Sequence, residues 1–157
     1  GLYDFVAAMN AKARSLGLKE TRFIDPAGIH RGNVSSARDL ARMVDAAYQY
    51  RLIRTYTTCK EATVYTGQRA LLFRNTNSLL KNPQWQIGLS KTGFIDEAGR
   101  CLVMQSKVAQ RPVVIVLLDA QDKWTRYGDA NRFKEWIEGS NTRPMRSHRI
   151  TSTNRKS

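Results

Sequence analysis

A chain of 157 residues with a formal net charge of +13 and 41% apolar side chains has the size of one globular domain. No apolar run reaches the roughly 18 residues of a membrane span, and Cys59 and Cys101 are too few for a disulfide scaffold. The charge suggests nucleic acid, but the basic residues are scattered, with no helix-turn-helix, zinc-ligand spacing or stacking-aromatic motif, so no nucleic-acid partner is expected.

In chain order, Leu2, Phe5, Val6, Met9, Ala13 and Leu16 recur at helical spacing, and Gly17 offers a left-handed stop. Asp25-Pro26-Ala27-Gly28 is a turn with proline at its second position. Ser36 with Asp39 makes a capping-box-like start to a second helix, whose apolar face is Leu40, Met43, Val44, Ala47 and Tyr48; Asp39 is read as a helix-start charge. Ala62 to Thr66 and Ala70 to Phe73 are short strands around a Thr66-Gly67-Gln68 hairpin.

Three further strands are expected over Trp85 to Phe94, Arg100 to Val108 and Pro112 to Leu118. Cys101 falls in the second of them as a small core residue. Val113 to Leu118 is apolar without alternation, so it requires cover on both faces of its sheet. Ala130, Phe133, Trp136 and Ile137 give a closing helix an inward face, and Trp85, Trp124 and Trp136 are read as packing residues. Residues 141–157, with Arg143, Arg146, Arg149, Arg155 and Lys156, form a basic tail expected to be disordered. His30 and His148 have no partner at metal-ligand spacing, and no metal or cofactor is expected.

The segment of greatest interest is Lys91-Thr92-Gly93. Alone, the tripeptide is weak evidence. Trp85, Ile87, Leu89 and Lys91 share one parity, so a strand there would aim all four at the same, packed face. An ammonium sent there must find partners or cost several kcal/mol, and a cleft needing a fixed positive charge explains it. Arg74, Asn75 and Asn77 lie shortly before this strand, able either to shape such a cleft or to satisfy loop backbone.

Several stretches together resemble the C-terminal part of low-molecular-mass penicillin-binding proteins, the serine-type D-alanyl-D-alanine carboxypeptidase/endopeptidase family, nearest the endopeptidase-type members. They are Phe5-Val-Ala-Ala-Met-Asn-Ala-Lys-Ala-Arg14, Leu16-Gly-Leu18, Thr21-Arg-Phe-Ile-Asp-Pro-Ala-Gly-Ile29, Val34-Ser-Ser-Ala-Arg-Asp-Leu40, Phe73-Arg-Asn-Thr-Asn77, Leu89-Ser-Lys-Thr-Gly-Phe94 and Glu97-Ala-Gly-Arg-Cys-Leu-Val103. The family's chemistry uses Ser-x-x-Lys, then Ser-x-Asn, then Lys-Thr-Gly. Only the third stands here in its proper context. Ser78-Leu-Leu-Lys81 fits the first pattern, but Asn82-Pro83 follows at once and stops any helix. Ser152-Thr-Asn154 comes after Lys91, in the polar tail.

The resemblance implies an α/β fold of α+β type: an antiparallel sheet flanked by helices, penicillin-binding protein or β-lactamase-like, without its N-terminal strands and nucleophile helix. The chain begins on Gly1 inside a helix-like segment, so residues 1–140 are expected to be the C-terminal portion of the transpeptidase-like domain. Separated from its remaining strands, such a portion should expose apolar surface and an open sheet edge. The activity implied is serine-type hydrolysis of peptidoglycan stem peptides through an acyl-enzyme, in the periplasm, with β-lactams as acylating ligands once the two upstream motifs are supplied. This chain would carry neither nucleophile nor base.

Within that scheme Lys91 gives electrostatic support and hydrogen-bonds the serine of the middle motif, and Thr92 donates a hydroxyl bond to the substrate carboxylate. Gly93 lets the substrate backbone approach, and the backbone N–H of Phe94 forms half of an oxyanion hole. Strict pleating sends Thr92 to the face opposite Lys91, so its role requires the strand to lie at a cleft edge. A non-catalytic peptidoglycan-binding or regulatory remnant of the family is the alternative.

Overall fold

The computed structural model describes residues 1–141. The tail expected over 141–157 therefore lies outside the described residues, apart from Asn141, which ends the last helix. Helix α1 spans Leu2–Ser15. Its end is a Schellman turn: Leu18 N–H donates to Ala13 O at 3.0 Å and Gly17 N–H to Arg14 O at 2.9 Å, with Gly17 at φ +69°. Ala13 and Leu18 are buried, yet Leu2 and Phe5 of the expected apolar stripe stay exposed.

The loop after α1 is closed by a two-residue bridge between Arg22 and Val34. Inside it, the Asp25 carboxylate accepts N–H groups from Ala27, Gly28 and His30 at 2.6, 2.8 and 2.6 Å. These bonds, His30 first, hold its pKa below the usual carboxylate value. Helix α2, Ala37–Tyr48, begins as expected, with Ser36 Oγ accepting from Asp39 N–H at 3.2 Å. Asp39 does more than complement a helix dipole. It is buried, and its Oδ2 accepts from Glu20 N–H at 2.7 Å and Thr21 Oγ1 at 2.9 Å.

Helix α3, Arg51–Thr58, is absent from the sequence-based expectation. Thr and Ile are poor helix formers, so local propensity hid it, and packing against the sheet supplies what propensity lacks. Strands β1 (Glu61–Thr66) and β2 (Arg69–Arg74) form the predicted hairpin around Gly67, at φ +62°. Every residue of both strands is exposed, Val64, Tyr65, Leu72 and Phe73 among them.

A 3₁₀ turn, Ser78–Lys81, leads to strands β3 (Gln86–Ile95), β4 (Gly99–Val108) and β5 (Arg111–Ala120), antiparallel in the order β3-β4-β5. Helix α4, Lys123–Asn141, starts on Asp122, whose carboxylate accepts the Trp124 and Thr125 N–H groups at 2.6 and 2.8 Å. The antiparallel sheet flanked by helices is thus the one expected. α4 covers one face through a core of Trp85, Leu102, Met104, Val108, Ile115, Tyr127 and Ala130, and α2 with α3 lies against the other. β5 has the double cover its apolar run required, though Val113, Val114, Val116 and Leu117 are only half-buried.

Three assignments need correction. Of the expected α4 face, Ala130 and Ile137 do face inward, but Phe133 and Trp136 are exposed and Tyr127 takes their place in the core. Trp124 also lies at the surface, leaving Trp85 as the packing tryptophan of the three. Cys101 is half-buried, not core, and both cysteines are free thiols.

Replacing Asp39 by Ala strands the Glu20 N–H and leaves the Thr21 hydroxyl with Ser35 Oγ, 2.8 Å away, as its remaining partner, a loss of about 1–3 kcal/mol. The urea midpoint should fall accordingly, and Asp39→Asn, which keeps an acceptor, should recover part of the loss.

Candidate active site

The site is built around a β-bulge. β3 pairs Ile87 with Ser106 and Leu89 with Gln105, so Gly88 is the extra residue. A Cβ at Gly88 would come within 2.6 Å of both the Tyr48 ring and Gln105 Oε1, so any side chain there would have to displace both. The bulge breaks the parity expected of the strand. Trp85 and Ile87 pack in the α4 core, while Leu89 and Lys91, paired with Gln105 and Val103, face the α2–α3 side. Ser90 and Thr92, paired with Met104 and Leu102, face α4.

Lys91 is also not sent into packing as expected. Its ammonium is exposed, donates to the Thr92 carbonyl, and has no carboxylate within 4.0 Å among the described residues. No desolvation cost has to be met there.

β3 is the edge strand of the described sheet. The outer edge is identified by Ser90, whose N–H donates to Thr57 Oγ1 of α3 at 3.4 Å, away from β4. In an antiparallel strand alternate residues direct their backbone groups to the same edge, so the N–H groups of Thr92 and Phe94 also point outward. Thr92 therefore lies on an edge strand, one part of the condition attached to its role. Among the described residues nothing lies within 4 Å of a Cβ built on Gly93, so its missing side chain answers to no packing demand there.

The α4 side of the strand carries a chain of hydrogen bonds. Thr92 Oγ1 lies 2.5 Å from Thr76 Oγ1. The Thr76 carbonyl accepts from the Tyr127 hydroxyl at 2.6 Å, and that hydroxyl accepts from Arg126 Nη2 at 3.1 Å. Arg126 Nη1 donates to Cys101 O at 3.0 Å, on the rung opposite Gly93. Arg126 is only 5% exposed, its partners are neutral oxygens, and its Nε has none among the described residues. The sequence marks Arg126 merely as one basic residue among many; its burial is a tertiary fact with no local signal.

The residues before the strand divide by role. Asn77 is 1% exposed; its Nδ2 donates to Ser90 Oγ at 2.7 Å and its Oδ1 accepts from Leu79 N–H at 3.1 Å. Asn75 Nδ2 donates to Thr57 O and Cys59 O at 3.1 and 3.0 Å. Both satisfy backbone, and both also bolt the segment flanking Thr76 to α3 and β3. Arg74 stays exposed, 3.8 Å from Glu61. Ser78 is exposed in its 3₁₀ turn, and its hydroxyl makes no hydrogen bond to Lys81 among the described residues.

Residues 1–122 match the family model described as D-alanyl-D-alanine carboxypeptidase. A D-alanyl-D-alanine endopeptidase of Pseudomonas aeruginosa is 49% identical over 144 residues, covering 88% of this chain and 45% of its own. The Escherichia coli protein of the same name is 45% identical, covering 92% and 47%. A mutant of Streptomyces K15 DD-transpeptidase has a similar structure, with a TM-score of 0.79 at 30% identity, covering 86% of this chain and 54% of that one. The chain spans about half the length of the curated relatives it matches.

Asn77→Ala removes one buried donor and one acceptor from between the 3₁₀ turn and Ser90. We expect a loss of about 1–3 kcal/mol, read as a lower urea midpoint.

Proposed function

The chain belongs to the D-alanyl-D-alanine carboxypeptidase family, and from that premise we propose that β3 is the substrate-binding strand of a serine-type D-alanyl-D-alanine endopeptidase or carboxypeptidase. The observation that carries this is the open edge of β3: Thr92 and Phe94 turn their N–H groups outward beside the exposed Lys91 ammonium. The substrate is a peptidoglycan stem peptide, lying along the strand as an added β-strand. Its acyl carbonyl oxygen, negative in the transition state, takes the Phe94 N–H as one of two donors.

Lys91 stabilises the substrate carboxylate and the growing negative charge from one side of the strand. Thr92 donates its hydroxyl from the other, and the buried Arg126 guanidinium adds positive potential from behind it. Gly93 leaves room for the peptide backbone. The nucleophile and its base come from Ser-x-x-Lys and Ser-x-Asn motifs outside this sequence. Such a substrate places the working enzyme in the periplasm, and β-lactams, which acylate the same serine, are ligands of the same cleft. Relatives named endopeptidases, at 45–49% identity, favour endopeptidase action on cross-links.

The test is acylation by a fluorescent penicillin. The chain as given should form no adduct, and the same chain extended through both upstream motifs should form one. In the extended form Lys91→Ala should slow acylation by about a hundredfold, the scale for losing one preorganised electrostatic group. A stoichiometric adduct on Ser78 of the shorter chain, found by mass spectrometry, would overturn the assignment.

A further inference from the structure

We propose that Thr76 is a positioning residue: its hydroxyl donates to Thr92 Oγ1 and so aims and polarises the Thr92 hydroxyl that is given to the carboxylate of the substrate. The inference rests on the role proposed above for Thr92. It begins from the 2.5 Å contact between the two hydroxyl oxygens, in which either can be the donor. Each hydroxyl has one proton and two lone pairs. If Thr92 donates to Thr76, its only proton is spent and it offers a carboxylate nothing but lone pairs. If Thr76 donates, Thr92 keeps its proton for the cleft, and the bond it accepts strengthens the one it gives. Neither hydroxyl has another partner among the described residues, so nothing there opposes the second arrangement. An anion drawn to Lys91 selects it.

Thr76 is held well enough to act this way. Its carbonyl takes the Tyr127 hydroxyl at 2.6 Å, its neighbours Asn75 and Asn77 are fastened to α3 and to Ser90, and a β-branched side chain has few χ1 choices. The tether also explains why Tyr127 is buried at the start of α4, with its hydroxyl reaching back 51 residues to this turn. Thr76 does not touch the reacting bond on this account; it acts through Thr92 alone.

The experiment uses the chain carried with the family's two serine motifs and compares a peptide ending in D-Ala-D-Ala with the same peptide amidated at its C-terminus. Thr76→Val keeps the shape and removes the proton. Thr92 then keeps its proton but loses the bond that orients it and strengthens its own, so kcat/KM on the free carboxylate should fall about fivefold while the amide stays within twofold. Thr76→Ser should restore the carboxylate rate. Because Thr76 is exposed, these changes should leave the urea midpoint in place. Equal losses on both peptides, no loss on either, or failure of Ser to rescue would overturn the inference while Lys91→Ala still discriminated between the peptides. If Lys91→Ala also fails to discriminate, the carboxylate site itself is wrong, and the inference falls with it.

Discussion

The extra residue at Gly88 decides which side chains of β3 meet which half of the molecule. Without it the alternation of Trp85 and Ile87 would continue, turning Leu89 and Lys91 under α4 and Thr92 away from Tyr127. A charged side chain among Leu102, Met104 and Ile115 would cost several kcal/mol. With it, Leu89 is buried against the α2–α3 side, Lys91 emerges to solvent, and Thr92 joins the hydrogen bonds behind the strand. At the bulge the Tyr48 ring and the Gln105 carboxamide fill the space where a side chain would sit. The far end of α2 therefore packs against the residue at which the strand changes phase.

Once that phase is set, the strand must be rigid without being paired on its outer side. An unpaired edge is the least restrained part of a sheet and the most available to a partner chain. Here the restraint comes from side chains instead of a neighbouring strand. Thr57 receives Ser90 N–H, Asn77 holds Ser90 Oγ, and Thr76 holds Thr92. Each contact leaves the Thr92 and Phe94 N–H groups open, the two places where a peptide substrate would add itself.

Much of this was legible in the sequence because it is written in periods and caps. The α1 stop at Gly17, the Ser36 cap, the Gly67 hairpin and the three long strands all appear where residue type and spacing predict them. The bulge was not legible, since a glycine in a strand has several uses and only the approach of Tyr48 and Gln105 selects one. Helix α3 was hidden by β-branched residues whose local preference the tertiary contacts override. On α4 the apolar spacing of Phe133 and Trp136 pointed inward, whereas the polar-tipped Tyr127 and Asn131 face the core, the latter accepting the Trp85 indole N–H at 3.0 Å. Amphipathic side chains satisfy both packing and hydrogen bonding there, which a hydrophobic count does not register.

The net charge illustrates how little a total conveys about a site. Most of the 26 basic residues are ordinary surface groups whose fields fade within about 8 Å at physiological salt. Arg126 differs because it is buried against neutral oxygens with one nitrogen unpaired among the described residues, so its field is screened far less. Burying an unpaired guanidinium is unfavourable to folding, and an anion arriving near Thr92 would relieve part of that cost only in the bound state. Binding free energy drawn from a cost already carried by the free protein is directed at charge, not at shape. A strand edge alone would accept any extended peptide; on the proposed reading, the same edge with Lys91 beside it and Arg126 linked to Thr92 through Tyr127 and Thr76 would favour peptides that bring a negative charge to the position of Thr92.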